Sequence, residues 1–289
     1  MTVVSANRPL DTLIPTRTLD IAYTPDSDDV FNFYGWEKGH VALPGYTPRF
    51  GRSHIAVLNQ AAMVDAYDVV AISSVTYPLL ANKYWILASG SSVGRGYGPV
   101  LVSKSALTID QLRGRKVAVA GLGTTGGTLA RMYCPTDTNF VEMPYDQIAA
   151  AILDGRVQAG VMIHEELVHY PRLGLRCVRD LGAAWTDDTG LPLPVGLNVV
   201  RKALGRETAE SIARTCRDSL LWGKQHLAET MAFANRFGRG CAEDFVPMFS
   251  NEDTLCLQPD VRQAFRIMLD RLASRGWAPR VETIEVIDA

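Results

Sequence analysis

TGLPLPVGLNVVRK, residues 189–202, reads as a point where the chain passes from one lobe to another, and its later part, LPVGLNVVRK at 193–202, is a strand candidate. LVSKSALTIDQL, near residues 101–112, reads as an earlier passage of the same kind. Between them lies a βαβαβ-like block of about the smallest size that makes an independent lobe. Around it, short β-branched or apolar runs alternate with helical patterns, which predicts an α/β protein. LDIAY starts the series, followed by YDVVAISS (67–74), YWILASG (84–90), GPVLVSK (98–104), KVAVAG (116–121), NFVEMP (139–144), AGVMIHE (159–165) and LRCVRDL (175–181). From Glu207 onward only helical spacing remains: ETAESIARTCRDSLLWGKQHLAETMAFANRF holds two helices and DVRQAFRIMLDRLASRGW a last one. That tail must return to the lobe begun at Leu19. The expected architecture is α/β with two lobes and two crossings between them. The larger lobe is discontinuous, over 19–104 and 198–289, and the smaller covers 105–197.

At 289 residues, 47% hydrophobic and 21% charged, the composition is that of a globular chain with a substantial core. The 29 basic and 31 acidic residues carry no dense Lys/Arg block, which argues against a nucleic-acid partner. Five widely spaced cysteines, Cys134, Cys177, Cys216, Cys241 and Cys256, suit buried thiols in a reducing compartment better than a disulfide framework or a zinc site. Arg8, Pro9, Asp11 and Pro15 interrupt the stretch where a secretion signal needs an unbroken apolar run, so a cytoplasmic protein with a loose leader is expected. No run reaches membrane-spanning length, so no membrane partner is expected. Assembly, a homodimer included, is left open.

KVAVAGLGTTGGTLARMY holds Gly121, Gly123 and Gly126 as G-x-G-x-x-G between an apparent strand and an apparent helix, with Glu142 at about the distance of a ribose-binding acid. Two readings share this physics. One is a dinucleotide site. The other is an anion cradle, in which Thr124 and Thr125 supply hydroxyls and the free N–H groups of the following helix receive a carboxylate. A plain turn needs at most one glycine.

TPDSDDVFNF, residues 24–33, sets Asp26, Asp28 and Asp29 after the first strand. D-x-D-x-V in that place suits an aspartyl phosphotransferase. Here, however, Thr24 and Pro25 intervene before Asp26, and no lysine with paired aspartates follows in the required order. Asp28 or Asp29 reads instead as the N-cap of the helix DVFNFYGWEKG. His164 follows AGVMI, at the carboxyl end of a strand, where open α/β sheets present ligand-contacting groups. Taken alone, it reads as a structural hydrogen-bonding residue. HEELVH is no metal site, because His164 and His169 are five apart and point away from one another on a helix or a strand, so no metal is expected. Glu165 and Glu166 read as loop or helix-start residues. Ser73, Ser74 and Tyr77 end the run VVAIS and offer hydroxyls. Arg95, in GRGYGP, has two readings: a bidentate carboxylate holder or a contact between lobes.

IAYTPDSDDVFNFYG, ISSVTYPLLANKYWILASGSSVGRGYGPVLVSK, LRGRKVAVAGLGTT and AGVMIHEELVHYPRLGLRCVRDLGAAWTDDTGLPLPVGLNVVRK together resemble the 1,4-dihydroxy-6-naphthoate synthase family of the futalosine route to menaquinone. The likeness runs with gaps from about Leu19 to Lys202 and is densest in the last block, with its order of His-Glu, Tyr-Pro, Leu-Gly, Trp, Thr-Gly-Leu-Pro and closing Arg. It implies the type II periplasmic-binding-protein fold, in which the crossings are hinge strands joining the lobes and a ligand cleft lies between the lobes. It also implies a small-molecule carboxylate ligand and no cofactor, with a Thr-Thr pair at the glycine loop holding substrate where a nicotinamide site would be. In the family the histidine matching His164 is the catalytic base, and imidazole suits proton transfer because its pKa lies near working pH. Asn59 matches a family asparagine on a helix facing the cleft. The substrate-binding set expected around His164 is Thr124, Thr125, Asn59, Ser73, Ser74, Asp29 and Arg95. The implied activity is a cofactor-free lyase acting on a cyclic futalosine-derived carboxylic acid. A cytosolic binding protein or sensor for a small organic ligand is the alternative on the same fold, and a nicotinamide-dependent dehydrogenase a third.

The chain departs from the family where substrate is held. The usual Ser-Pro-Cys-Pro-Asn-Asp-Thr is Thr24 to Val30 here, with Asp26 for Cys and Asp28 for Asn, and a lysine before Ile-Ser is Ala71. Losing a cation and gaining anions weakens carboxylate binding by on the order of 1 to 4 kcal/mol per unscreened charge. On the motif alone, restoring the family residues at positions 26–28 is expected to raise activity on the futalosine-derived acid.

Overall fold

The computed structural model describes residues 16–289; the leader expected ahead of Leu19 falls outside them up to residue 15. Its strands are β1 (Arg17–Tyr23), β2 (Tyr46–Arg52), β3 (Val69–Ser73), β4 (Tyr84–Leu87), β5 (Ser92–Gly94), β6 (Val100–Ser103), β7 (Lys116–Val119), β8 (Asn139–Glu142), β9 (Ala159–Met162), β10 (Arg176–Asp180), β11 (Leu193–Arg201) and β12 (Val286–Ile287). The helices are α1 (Ser27–Glu37), α2 (Ile55–Met63), α3 (Thr125–Tyr133), α4 (Tyr145–Leu153), α5 (Glu166–His169), α6 (Leu181–Thr189), α7 (Arg206–Gln225), α8 (Leu227–Ala234), α9 (Ala242–Phe249), α10 (Glu252–Leu255) and α11 (Pro259–Ser274). Near-continuous apolar runs such as VVAIS become strands buried on both faces, as sheets covered on two sides require.

Two mixed sheets result. The first runs β12-β4-β11-β3-β1-β2, with β5 also pairing β11; the second runs β10-β6-β9-β7-β8. In the first, β1 pairs in parallel with β2 and β3, while β11 is antiparallel to both β3 and β4. In the second, β7 is parallel to β8 and β9, and β6 antiparallel to β9 and β10. The chain therefore leaves the first sheet after Gly94 and returns to it at Leu193. Both changes of sheet fall earlier than the boundaries expected at 104/105 and 197/198. The reason is that neither stretch is a linker: Leu101 pairs with Val161, and Leu193 with Gly94. The two crossings also pack on each other. A Cβ on Gly182, at the start of α6, would lie 2.1 Å from the carbonyl carbon of Tyr97 in the first crossing.

The tail returns to the first sheet. Ala209, Ile212, Ala213, Cys216 and Leu220 form the buried stripe of α7, at the spacing of an amphipathic helix. Ser219 joins α7 to α1 by donating to the Asn32 carbonyl at 2.8 Å and accepting from the Trp36 N–H at 3.0 Å. The tail is not helix only, however, because β12 pairs in parallel with β4. β2 also escapes a reading by pattern. It is a half-exposed edge strand carrying Pro48 and Gly51, which an edge tolerates and an interior strand does not. All five cysteines are free, but Cys177 and Cys256 are exposed, against the expectation of buried thiols: one lies on edge strand β10, the other in the turn before α11. No helix among the described residues is long and apolar enough to cross a membrane.

Candidate active site

The carboxyl ends of β1, β3 and β9 meet at the cleft, and Thr24, Ser73, Ile163 and His164 line a cavity of about 80 Å³ there. Phe245 and Phe249 of α9 supply an apolar wall.

His164 sits two residues beyond β9 with φ +57°, a left-handed conformation that costs a non-glycine residue about 1–3 kcal/mol. Its Nδ1 lies 2.8 Å from Oδ2 of Asp26, a contact between the loop after β1 and the loop after β9. The other nitrogen, Nε2, is buried and has no hydrogen-bond partner. Tyr145 of α4 stands over the imidazole, ring centroids 4.9 Å apart, and its hydroxyl donates to Oδ1 of Asp26 at 3.5 Å. Burial pulls the imidazole pKa down, but the adjacent Asp26 carboxylate leads the opposing effects that hold the pKa above its ordinary value. Burial likewise opposes ionisation of Asp26, and the adjacent His164 outweighs it, so the Asp26 carboxyl stays below its ordinary range.

The three aspartates divide by environment. Asp26, not Asp28 or Asp29, is the N-cap residue of α1, and its carboxylate caps nothing because it faces His164. Asp29 turns back on the chain, where its Oδ2 accepts from the Thr24 N–H at 2.9 Å and the Thr24 hydroxyl at 2.7 Å. Burial raises its pKa despite these bonds. Asp28 Oδ1 is buried with no partner. Burial, with Asp29 and Asp26 alongside, pushes Asp28 well above the carboxylate range, toward a neutral carboxyl that both donates and accepts. Asp28 and Asp29 line the cavity.

The glycine loop delivers the N-terminus of α3 to the same cavity. Both threonine hydroxyls, expected to hold substrate, donate inside the chain: Thr124 to the Gly121 carbonyl at 2.7 Å, Thr125 to the Val195 carbonyl at 2.6 Å. Thr124 also caps the helix by accepting from the Gly127 N–H at 3.1 Å. The N–H groups of Thr125 and Gly126 have no acceptor among the described residues and head the helix where its dipole is positive. A Cβ on Gly127 would lie 2.1 Å from the Gly121 carbonyl oxygen, which accounts for a glycine in the turn. Glu142, the candidate ribose acid, accepts from the Leu122 N–H at 2.5 Å and lies on a separate 300 Å³ groove behind the loop.

The remaining expected residues scatter. Asn59 does not reach the cavity; its amide binds Ser73 twice, donating to Oγ at 3.1 Å and accepting from the backbone N–H at 2.9 Å. It thereby sets the end of β3, where Ser73 faces the cavity. Ser74 is fully buried and does not line it. Arg95 is held elsewhere, bidentate on Asp253 at 2.7 Å and in contact with Asp260 at 2.8 Å. Arg95→Met is accordingly expected to lower stability by about 1–3 kcal/mol, since it strands the buried Asp253, and to leave ligand affinity unchanged. Urea unfolding and a binding titration check this. Glu165 precedes α5 and Glu166 opens it, as expected. Among the cavity residues that the sequence reading did not single out are Asn198 on crossing strand β11, Phe245 and Phe249. No group of three or more His, Cys, Asp or Glu side chains among the described residues is arranged to hold a metal.

Residues 19–274 match a family model described as menaquinone biosynthesis. A 1,4-dihydroxy-6-naphthoate synthase of Streptomyces coelicolor is 32% identical over 273 residues, covering 91% of this chain and 95% of that one. A crystal structure of a protein from Archaeoglobus fulgidus superposes with TM-score 0.84 at 36% identity, covering 90% of this chain and 98% of the other. The alkanesulfonate-binding protein of Xanthomonas axonopodis pv. citri superposes with TM-score 0.70 at 14% identity over 94% of this chain and 98% of that one, which places the fold among the periplasmic-binding-protein-like folds. The family match and the identity spread along nearly the whole chain agree with the cleft geometry, and the chain belongs to the menaquinone biosynthesis family.

Proposed function

We propose that this chain is a lyase of the dihydroxynaphthoate synthase type, which removes a proton from a cyclic futalosine-derived carboxylic acid so that fragmentation releases the aromatic naphthoate. The observation that carries the reading is Nε2 of His164, buried and without a partner on the wall of a cavity that also receives the free N–H groups of α3. A base and a carboxylate cradle thus share one small space. Neutral His164 takes the substrate proton on Nε2. The C–H electron pair becomes a ring double bond, and the bond from the neighbouring carbon to the departing fragment breaks with its own pair. Return of the proton from the imidazolium to that fragment restores the base. The step is redox-neutral and calls for no nicotinamide. Phe245, Phe249 and Ile163 favour an aromatic product and exclude water. Asp28 and Asp29, with their raised pKa values, suit the hydroxyl groups of the departing part.

Incubation with cyclic de-hypoxanthine futalosine tests this, with free naphthoate followed by its absorbance. Catalytic accumulation of naphthoate without an added cofactor is the expected result. Tight binding with no product would leave a ligand-binding protein on the same fold.

A further inference from the structure

Asp26 and His164 come from different sheets, one from the loop after β1 and the other from the loop after β9. Asp26 is 1% exposed, and the contact its Oδ2 makes is the one with Nδ1 of His164, 2.8 Å away. A second contact between the lobes starts from the next two residues. Glu165 accepts the Arg239 N–H, and Glu166 takes the Arg239 guanidinium at 2.5 Å. Arg239 lies in the loop between α8 and α9, helices that pack on α1 of the first lobe. All three residues from 164 to 166 are therefore tied to the first lobe.

We propose that Asp26 is a positioning residue for this site: it reaches across the cleft to fix His164 with the proton on Nδ1 and the lone pair of Nε2 in the cavity. The inference rests on the proposed role of His164. A carboxylate accepts and does not donate, so beside Nδ1 it selects the tautomer that leaves Nε2 free, and it stabilises the imidazolium once the substrate proton arrives. The other titratable groups facing the imidazole are Asp28 and Asp29 from α1 and Tyr145 from α4, with the Glu166–Arg239 pair beyond them. This geometry reverses the expectation drawn from the motif alone: replacing Asp26 by the family's cysteine removes the acceptor and lowers activity.

The test is Asp26→Asn, a change that keeps size and a good N-cap residue, with Asp26→Ser as a second variant of the same kind. Nitrogen-15 NMR of labelled histidine reads the tautomer and titration of His164 without substrate, the signal being assigned by its loss in His164→Asn. Expected are a wild-type Nδ1–H tautomer titrating above the ordinary histidine value, and a downward move of that titration in Asp26→Asn. Steady-state kinetics should show kcat reduced about 10- to 100-fold, KM changed less than about 3-fold, and the acid limb of the kcat/KM profile moved to lower pH with the titration. An unchanged His164 titration, or wild-type kcat in both variants, overturns the proposal. Absence of turnover in the wild type would remove the lyase reading, and the NMR arm would still decide whether Asp26 controls the histidine.

Discussion

His164→Asn is expected to lower kcat by at least about 10²- to 10⁴-fold while ligand affinity changes only a few-fold. Asparagine is the substitution that isolates the chemistry. After glycine it best tolerates the left-handed backbone recorded at this position, φ +57°. Its amide N–H₂ takes the place of Nδ1, so Asp26, which is buried, keeps a donor and the fold keeps its link between lobes. Only Nε2 is lost, and proton removal by that nitrogen matters in the transition state and not in the bound ground state. Single-turnover kinetics beside a binding titration separate the two quantities. A loss of affinity as large as the loss of rate would make His164 a binding residue.

Thr125→Pro is expected to weaken binding of a carboxylate ligand about 10- to 100-fold, at a stability cost of about 1 kcal/mol. Thr125 is the first residue of α3, where proline is favoured, and Thr124 before it is already extended at φ −87° and ψ 159°, as a residue preceding proline must be. The helix therefore survives, and one free N–H at its positive end disappears. A hydrogen bond to a charged group contributes about 1.5–3 kcal/mol, which sets the expected loss in affinity. The stability cost comes from the hydroxyl bond to the Val195 carbonyl. Thr125→Val, which removes that hydroxyl and keeps the N–H, is the control and should bind nearly as well as wild type. Equal weakening in both variants would mean that the hydroxyl, not the helix N-terminus, holds the ligand.

The fold was legible wherever burial on both faces left an uninterrupted apolar run, as in VVAIS and AGVM, and wherever helical spacing was regular, as in α7 and α11. It was not legible in β2, β5 and β12, which are edge or very short strands whose pairing depends on neighbours distant in sequence. His164 could be located because it follows a strand. Its partner could not, because residues 26 and 164 meet only after two sheets form and close. The departure of Asp26 from the family motif was visible, but its surroundings were not: counted as a charge it opposes a carboxylate ligand, whereas in the fold it lies against His164. Arg95 and Asn59 carry a similar lesson. A cation or amide in a loop or helix near the cleft declares its valence, and only packing shows that Asp253 and Ser73 have already taken it.

The central claim, that His164 serves as the base of a menaquinone-pathway lyase, is tested most directly by complementation. Cells deleted for their own 1,4-dihydroxy-6-naphthoate synthase would receive either the wild-type chain or His164→Asn at equal abundance, and their menaquinone would be measured. Restoration by the wild type and none above background by His164→Asn is the predicted result; no restoration by the wild type, or equal restoration by both, would contradict it.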